Sequence, residues 1–176
     1  ALMADPDLLI LDEPTTGPDP QSRHLVWDRL LALKKRGLTM VLTTHYMDEA
    51  EKLCDRLVIL DHGRIITEGR PLELIDTHAG ESVIEIQGPG EDLRSYVREH
   101  GVGHEDLGER LIIYAGPRGE LEGLIRDRFC VESCRFRAGN LEDVFLRGTG
   151  RELRGGKGAS ALATYPCASA TCGTGT

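Results

Sequence analysis

The chain has 176 residues, enough for one ordinary domain or for two small ones. Its residues are 40% hydrophobic and 28% charged, which is typical of a soluble globular protein, and no apolar stretch approaches the roughly 18 residues that cross a bilayer. The net charge of −8 argues against a nucleic-acid partner, because general nucleic-acid binders carry a basic face. The five cysteines form no CxxC pair, and with no visible secretion signal they are typical of reduced thiols.

The first third of the chain has the pattern of an α/β sheet. LLIL at 8–11 is a short apolar run between Asp-Pro-Asp and Glu-Pro, which predicts a buried parallel strand. Asp19 followed by Pro20 predicts the N-cap and first position of a helix that ends near Gly37. TMVLTTH at 39–45 predicts a second buried strand.

The next segment predicts a short helix and a hairpin. MDEAEKLCDR at 47–56 has its apolar residues on one helical face and acidic residues elsewhere. Two apolar runs at 56–61 and 64–69 flank His62-Gly63, which is a turn signal. The alternation of strands and helices predicts a sheet covered by helices.

A second pattern follows a polar stretch, THAGES at 77–82, which we take as a linker. Three strand-like and three helix-like segments alternate over 80–147, so we predict a small α+β domain after a first domain at 1–76. The remainder, 148–176, is rich in Gly, Ala, Ser and Thr and lacks periodicity, which predicts a disordered tail.

The residues best suited to chemistry lie at the ends of the first two predicted strands. Ligands bind α/β sheets at the carboxyl ends of parallel strands, where Asp12 can hold Mg²⁺ directly or through a water. Glu13 points differently and can polarise a water against a phosphoryl group. His45 ends the next strand, so an imidazole can reach the same edge and contact a terminal phosphate.

Taken in order, these motifs resemble the nucleotide-binding subunit of ABC transporters, closely so across residues 1 to about 75. LLILDEP resembles the Walker B strand with its catalytic glutamate, TGPD the D-loop, and TTH the switch-histidine loop. DRLVILDHGRIITEGRPLEL resembles the closing hairpin and short helix of the family. Residues 82–146 are similar to the C-terminal extension of subunits of the daunorubicin-resistance and nodulation-export type.

The resemblance implies a fold, a reaction and partners. The fold is the C-terminal half of an ABC-type P-loop NTPase sheet-and-helix domain, and the reaction is ATP hydrolysis with Mg²⁺. Asp12 then serves Mg²⁺, Glu13 polarises the attacking water, His45 contacts the γ-phosphate, and Asp19 works across a dimer interface. The implied partners are a second nucleotide-binding subunit and a membrane permease, with the chain on the cytoplasmic face of the membrane and multidrug export as the type of transport.

Some family motifs have no match in this sequence. No segment fits G-x-x-x-x-G-K-[ST], the loop that cradles the phosphates, and the glutamine loop and LSGG signature are absent too. Proline stands at position 18, where the family usually has leucine. We therefore interpret the chain as a C-terminal fragment of an ATP-hydrolysing export subunit, and we expect it to be inactive and not to bind ATP by itself.

Two other functions fit the same residues. One is a non-transport relative that uses the ATPase core on DNA or ribosomes, which the acidic charge and the short extension disfavour. The other is a non-catalytic regulatory or interaction fragment that competes for the permease or for the partner subunit. An in-frame phosphate-binding loop upstream favours the truncated ATPase, and a neighbouring permease gene favours transport.

Overall fold

A computed structural model describes residues 6–17, 19–115, 120–129, 134–149 and 159–164. These residues form two compact units. One unit contains the described residues up to Pro71 together with residues 159–164, and the other begins at Leu72 and includes the described residues as far as Thr149. The elements in chain order are β1 (Leu8–Asp12), α1 (Pro20–Lys35), β2 (Thr39–Thr44), α2 (Met47–Leu53), β3 (Leu57–Asp61), β4 (Arg64–Gly69), α3 (Pro71–His78), β5 (Ser82–Gln87), α4 (Glu91–Glu99), β6 (His104–Asp106), β7 (Arg110–Ala115), α5 (Glu120–Phe129), β8 (Cys134–Arg137), α6 (Leu141–Thr149) and β9 (Ala159–Thr164).

The sheet of the first unit has the order β1-β2-β9-β3-β4. β1 and β2 are parallel, with Asp12 opposite Thr43, so the ends of both strands lie at one edge. β3 and β4 form the predicted antiparallel hairpin, and His62 in its turn has a φ of 47°. The mixed α/β sheet with helices between its strands is the class that the sequence predicts for this segment.

β1 is an edge strand, which the sequence did not predict. The apolar run predicted a buried strand, yet Leu8 is 50% exposed and Ile10 is 71% exposed, while Leu9 is buried. Helix α1 lies on the Leu9 side, where its apolar residues line a groove of about 690 Å³ with β1. Within the described ranges, α1 covers one face of β1, so the prediction of a strand buried on both faces is wrong for this structure.

The predicted disordered tail also needs correction. Its first two residues, 148 and 149, complete helix α6, and residues 159–164 form strand β9. β9 pairs antiparallel with β2 on one side and with β3 on the other. Without β9, the facing edges of β2 and β3 would expose unpaired backbone N–H and C=O groups. The sequence of β9, ASALAT, contains no Gly or Pro, so its backbone can pair with both edges. The rest of the predicted tail, 150–158 and 165–176, lies outside the described residues.

Helix α3 occupies the start of the predicted linker. Thr77 Oγ1 donates to Glu73 O at 2.7 Å, and the N–H groups of Ala79 and Gly80 both donate to Ile75 O. Gly80 has a φ of 75°, the left-handed conformation that ends helices. The linker prediction over 77–82 is therefore wrong in its first two residues, which are helical.

The second unit is built on a four-stranded antiparallel sheet of order β6-β7-β5-β8. The predicted strands and helices of this unit are present in the described residues, and β6 is an additional short strand that its polar sequence, HED, did not predict. Residues 116–119 and 130–133, which the predictions also covered, lie outside the described residues. The core of the unit consists of apolar side chains from the sheet and from α4 and α5, namely Ile84, Ile86, Leu93, Val97, Leu111, Ile113, Ala115 and Ile125.

A buried ion pair ties β8 to the start of α6. Asp143 is 1% exposed, and its two carboxylate oxygens accept hydrogen bonds from Arg137 Nη1 and Nη2 at 2.6 and 2.7 Å. Asn140, the predicted cap, accepts from Asp143 N at 3.1 Å and donates its own N–H back to the Asp143 carboxylate at 3.0 Å. The hydrogen bonds that Arg137 donates to the Asp143 carboxylate raise the pKa of Arg137 further above its ordinary value.

None of the helices in the described ranges combines the length and the apolar character that a membrane span requires.

Candidate functional site

The site is built where β1 and β2 end side by side. Because Asp12 and Thr43 are register partners, their side chains meet, and Thr43 Oγ1 donates a hydrogen bond to Asp12 Oδ1. The backbone N–H of Glu13 donates to Thr43 O at 3.0 Å, which extends the ladder by one residue. The parallel pairing thus places two adjacent carboxylates at the carboxyl edge of the sheet, as the sequence predicted.

Glu13 and His45 are in direct contact at this edge. His45 Nδ1 lies 2.6 Å from Glu13 Oε2, and the two side chains are 42% and 31% exposed. An ionised carboxylate only accepts hydrogen bonds. When Glu13 is ionised, His45 Nδ1 therefore carries a hydrogen and donates the hydrogen bond to Glu13 Oε2. The other ring nitrogen, Nε2, is then the one that can interact with a bound molecule. The sequence placed both residues at this edge but could not predict their contact.

The Glu13 carboxylate is also held from its own loop. Thr16 Oγ1 donates to Glu13 Oε2 at 2.9 Å, and Thr16 N donates to Glu13 O at 3.1 Å. Glu13 has a φ of 47°, in the left-handed region that costs a residue with a Cβ atom energy. In the described part of the chain, both side-chain hydrogen bonds of Glu13 go to Oε2, one from Thr16 in the same loop and one from His45 at the end of β2.

A stack of side chains supports the His45 ring. The Tyr46 ring lies with its centroid 4.1 Å from that of His45, and the guanidinium of Arg23, a residue of α1, lies 4.0 Å from the Tyr46 ring centroid. Cation–π contacts at partly exposed positions contribute about 0.5–1 kcal/mol. The stack therefore restricts how far the imidazole can turn away from Glu13.

Asp19 is placed differently from the other three predicted site residues. It caps α1: Oδ1 accepts from Gln21 N at 3.0 Å and from Ser22 N at 3.1 Å, and Oδ2 accepts from Ser22 Oγ at 2.7 Å. The hydrogen bond from the Ser22 hydroxyl, followed by that from the Ser22 backbone, lowers the pKa of Asp19. Its hydrogen bonds in the described chain are thus local, and Asp19 is not joined to the Glu13–His45 pair. Position 18 lies outside the described residues.

Sequence reasoning missed the threonines and one glutamate of this region. Thr43 and Thr16 bind the two carboxylates, and a serine or threonine next to a charged site residue is a signal that could have found them. Glu49 was not among the predicted site or core residues, yet it is fully buried and accepts hydrogen bonds from Thr15 and Trp27. A lone tryptophan in the preceding helix was the available signal, since a buried indole N–H needs an acceptor.

The chemistry of the donor set fits a hard cation. Mg²⁺ keeps several waters and binds through one or two carboxylates together with substrate phosphates, so a dedicated cluster of protein ligands is not required. Asp12 is exposed at the sheet edge and offers carboxylate oxygens beside the hydroxyl of Thr43. The described residues contain no group of three or more His, Cys, Asp or Glu side chains arranged around a common point.

Comparisons with known proteins identify close relatives. No family model matches the chain. The Nod factor export ATP-binding protein I of Bradyrhizobium diazoefficiens is 52% identical over 154 residues, which are 87% of this chain and 50% of the relative. The protein of the same name from Mesorhizobium japonicum is 50% identical over 87% of this chain and 45% of its own length. The one from Burkholderia lata is 48% identical over 88% of this chain and 51% of its own length.

The chain spans about half the length of the curated relatives it matches. The matched part nevertheless covers most of this chain, and its sheet edge carries the acidic pair and the histidine in the expected order. The chain therefore belongs to the family of ABC transporter ATP-binding subunits that includes the Nod factor export proteins.

Proposed function

We propose that this chain supplies residues that catalyse ATP hydrolysis in the ATP-binding subunit of an ABC-type export system, and that these residues lie at the carboxyl edge of β1 and β2. The proposal is supported above all by the contact of 2.6 Å between His45 and Glu13, next to Asp12 at the carboxyl edge of parallel strands. Because the relatives are about twice as long as the part that matches, we assign the activity to a longer polypeptide that contains this chain.

The residues divide the chemistry among them. Asp12 would hold Mg²⁺, which when bound neutralises charge on the phosphates. Glu13 polarises the water that attacks the terminal phosphate. Hydrogen bonds from Thr16 and His45 to Oε2 orient its carboxylate for this role. His45 donates from Nε2 to a phosphate oxygen when both ring nitrogens carry a proton. Asp19 fixes the start of α1 and would face a second nucleotide-binding subunit.

The proposed partners follow from the family. A second ATP-binding subunit would complete the site, and a membrane permease would carry the exported molecule, with this subunit at the cytoplasmic face of the membrane. The names of the relatives support export as the direction of transport.

Replacing His45 tests the proposed role of the Glu13–His45 pair. In the full-length polypeptide, His45→Ala should lower the rate of Mg²⁺-dependent ATP hydrolysis about tenfold or more, because a hydrogen bond to a charged group contributes about 1.5–3 kcal/mol. Phosphate release at saturating ATP measures this effect. His100→Ala, at an exposed position in the second unit, is the control and should retain the parent rate. A His45→Ala protein with the rate of the parent would contradict the proposal.

A further inference from the structure

A buried carboxylate lies outside the residues that the proposed function uses. Glu49 belongs to the first turn of α2 and is 0% exposed. Its Oε1 accepts hydrogen bonds from Thr15 Oγ1 and from Trp27 Nε1, both at 2.9 Å, while Oε2 is buried without a hydrogen-bond partner among the described residues. Burying a carboxylate costs several kcal/mol unless hydrogen bonds compensate it, so an apolar side chain would be the simpler choice at this position.

The three groups come from three separate parts of the first unit. Thr15 lies in the loop between β1 and α1, two residues after Glu13, and is itself 0% exposed. Trp27 lies in α1 and is 3% exposed. Glu49 follows His45 by four residues. Glu49 therefore connects the loop that carries one member of the Glu13–His45 pair to the segment that carries the other.

The loop needs such an anchor because its conformation is strained. Glu13 has a φ of 47°, and a residue with a side chain stays in this region only when its surroundings hold it there. Thr16 holds the Glu13 carboxylate from within the same loop, so it moves with the loop and cannot fix its position. The hydrogen bond from Thr15 to Glu49 is a link from the loop to a helix.

We propose that Glu49 is a positioning residue: by holding Thr15, it keeps the Glu13 carboxylate within hydrogen-bond distance of His45. This inference rests on the proposed function, because it concerns the same site, but it concerns geometry that is present without nucleotide. Loss of the anchor should let the loop relax from the strained φ and separate the Glu13 carboxylate from the imidazole.

Two spectroscopic signals in the full 176-residue chain report on the two ends of this connection. Trp27 is the single tryptophan, so fluorescence emission reports on its contact with Glu49. The ring cross-peaks of His45 in a ¹H–¹³C NMR spectrum report on its contact with Glu13, and a spectrum of Glu13→Ala, which has no side-chain acceptor at position 13, gives the reference for the broken contact. His45→Gln assigns the cross-peaks by their disappearance.

Four variants separate positioning from general stability. Thr15→Val removes the donor with little change of volume and leaves the Trp27–Glu49 contact in place. Glu49→Leu removes both carboxylate oxygens. Glu49→Gln keeps one side-chain oxygen, which can accept the hydrogen bonds from Thr15 and Trp27 as Oε1 does in the parent. Leu53→Ala is the matched control, since Leu53 is 1% exposed on the same helix and its truncation costs about 2–5 kcal/mol without touching Thr15.

We expect Thr15→Val and Glu49→Leu to move the His45 cross-peaks towards their positions in Glu13→Ala. Trp27 emission should shift in Glu49→Leu but not in Thr15→Val. Glu49→Gln should give the Trp27 emission and the His45 cross-peaks of the parent chain. Leu53→Ala should leave the His45 cross-peaks at their parent positions. If Glu49→Leu does not fold, Thr15→Val and Glu49→Gln carry the test.

Unchanged His45 cross-peaks in Thr15→Val would overturn the proposal, and so would an equal shift in Leu53→Ala. Neither signal depends on ATP. A failure here would therefore leave the proposed hydrolysis intact, while a failure of the hydrolysis experiments would leave the anchor intact.

Discussion

Glu13→Gln in the full-length polypeptide should lower the rate of ATP hydrolysis by about 10² or more, as expected when a group that polarises the attacking water is lost. Glutamine keeps the size of the side chain and an oxygen that can accept from Thr16, so the loop should keep its shape. The charge that activates the water is removed. Binding of ATP should persist, because the nucleotide is held by other groups, and the dimer should stay closed around unhydrolysed ATP.

Two measurements on the same preparation check this result. Phosphate release at saturating ATP and Mg²⁺ gives the rate, and retention of labelled ATP gives the binding. Glu68→Gln is the control, since Glu68 is an exposed carboxylate on β4 that pairs with Arg56. A Glu13→Gln rate within about twofold of the parent would show that the catalytic carboxylate is another residue.

The second large effect concerns stability. Asp143→Ala should lower the free energy of unfolding of the second unit by about 3–5 kcal/mol, because it leaves the Arg137 guanidinium partly buried without its bidentate partner. The same change removes the hydrogen bond from Asn140 N at the start of α6. Thermal or urea unfolding of the full chain, followed by circular dichroism, measures the loss.

Glu142→Ala is the matched control for this prediction. Glu142 is the neighbouring acidic residue in the first turn of α6 and is exposed, so its removal should cost no more than about 1 kcal/mol from the helix dipole. Equal losses in the two variants would mean that the buried ion pair with Arg137 is not what stabilises this end of the unit.

The sequence was sufficient to predict the edge of the sheet that carries the site. Short apolar runs that end in Asp12 and in His45 have the strand period and the flanking turn residues that strands require, and parallel strands bring their ends together. The helix after Asp19 was predictable for a local reason, since the capping side chain and the proline act on adjacent backbone groups.

Features that depend on contacts between distant residues were not predictable in the same way. The burial of Glu49 depends on donors 22 and 34 residues away along the chain, which no local period reveals. The pairing of β9 with β2 and β3 depends on open sheet edges, so composition alone indicated a tail. The exposure of Ile10 reflects which elements cover β1, whereas its sequence pattern reports only that the residue is apolar.

Sequencing the DNA upstream of the codon for Ala1 is the most direct test of the proposal that this chain is the hydrolytic part of an ATP-binding export subunit. We expect the reading frame to continue upstream and to encode a G-x-x-x-x-G-K-[ST] loop followed by an LSGG signature, because hydrolysis at Glu13 needs groups that cradle the phosphates. A frame that encodes neither motif, or that is closed by a stop codon immediately upstream, would contradict the proposed ATP hydrolysis.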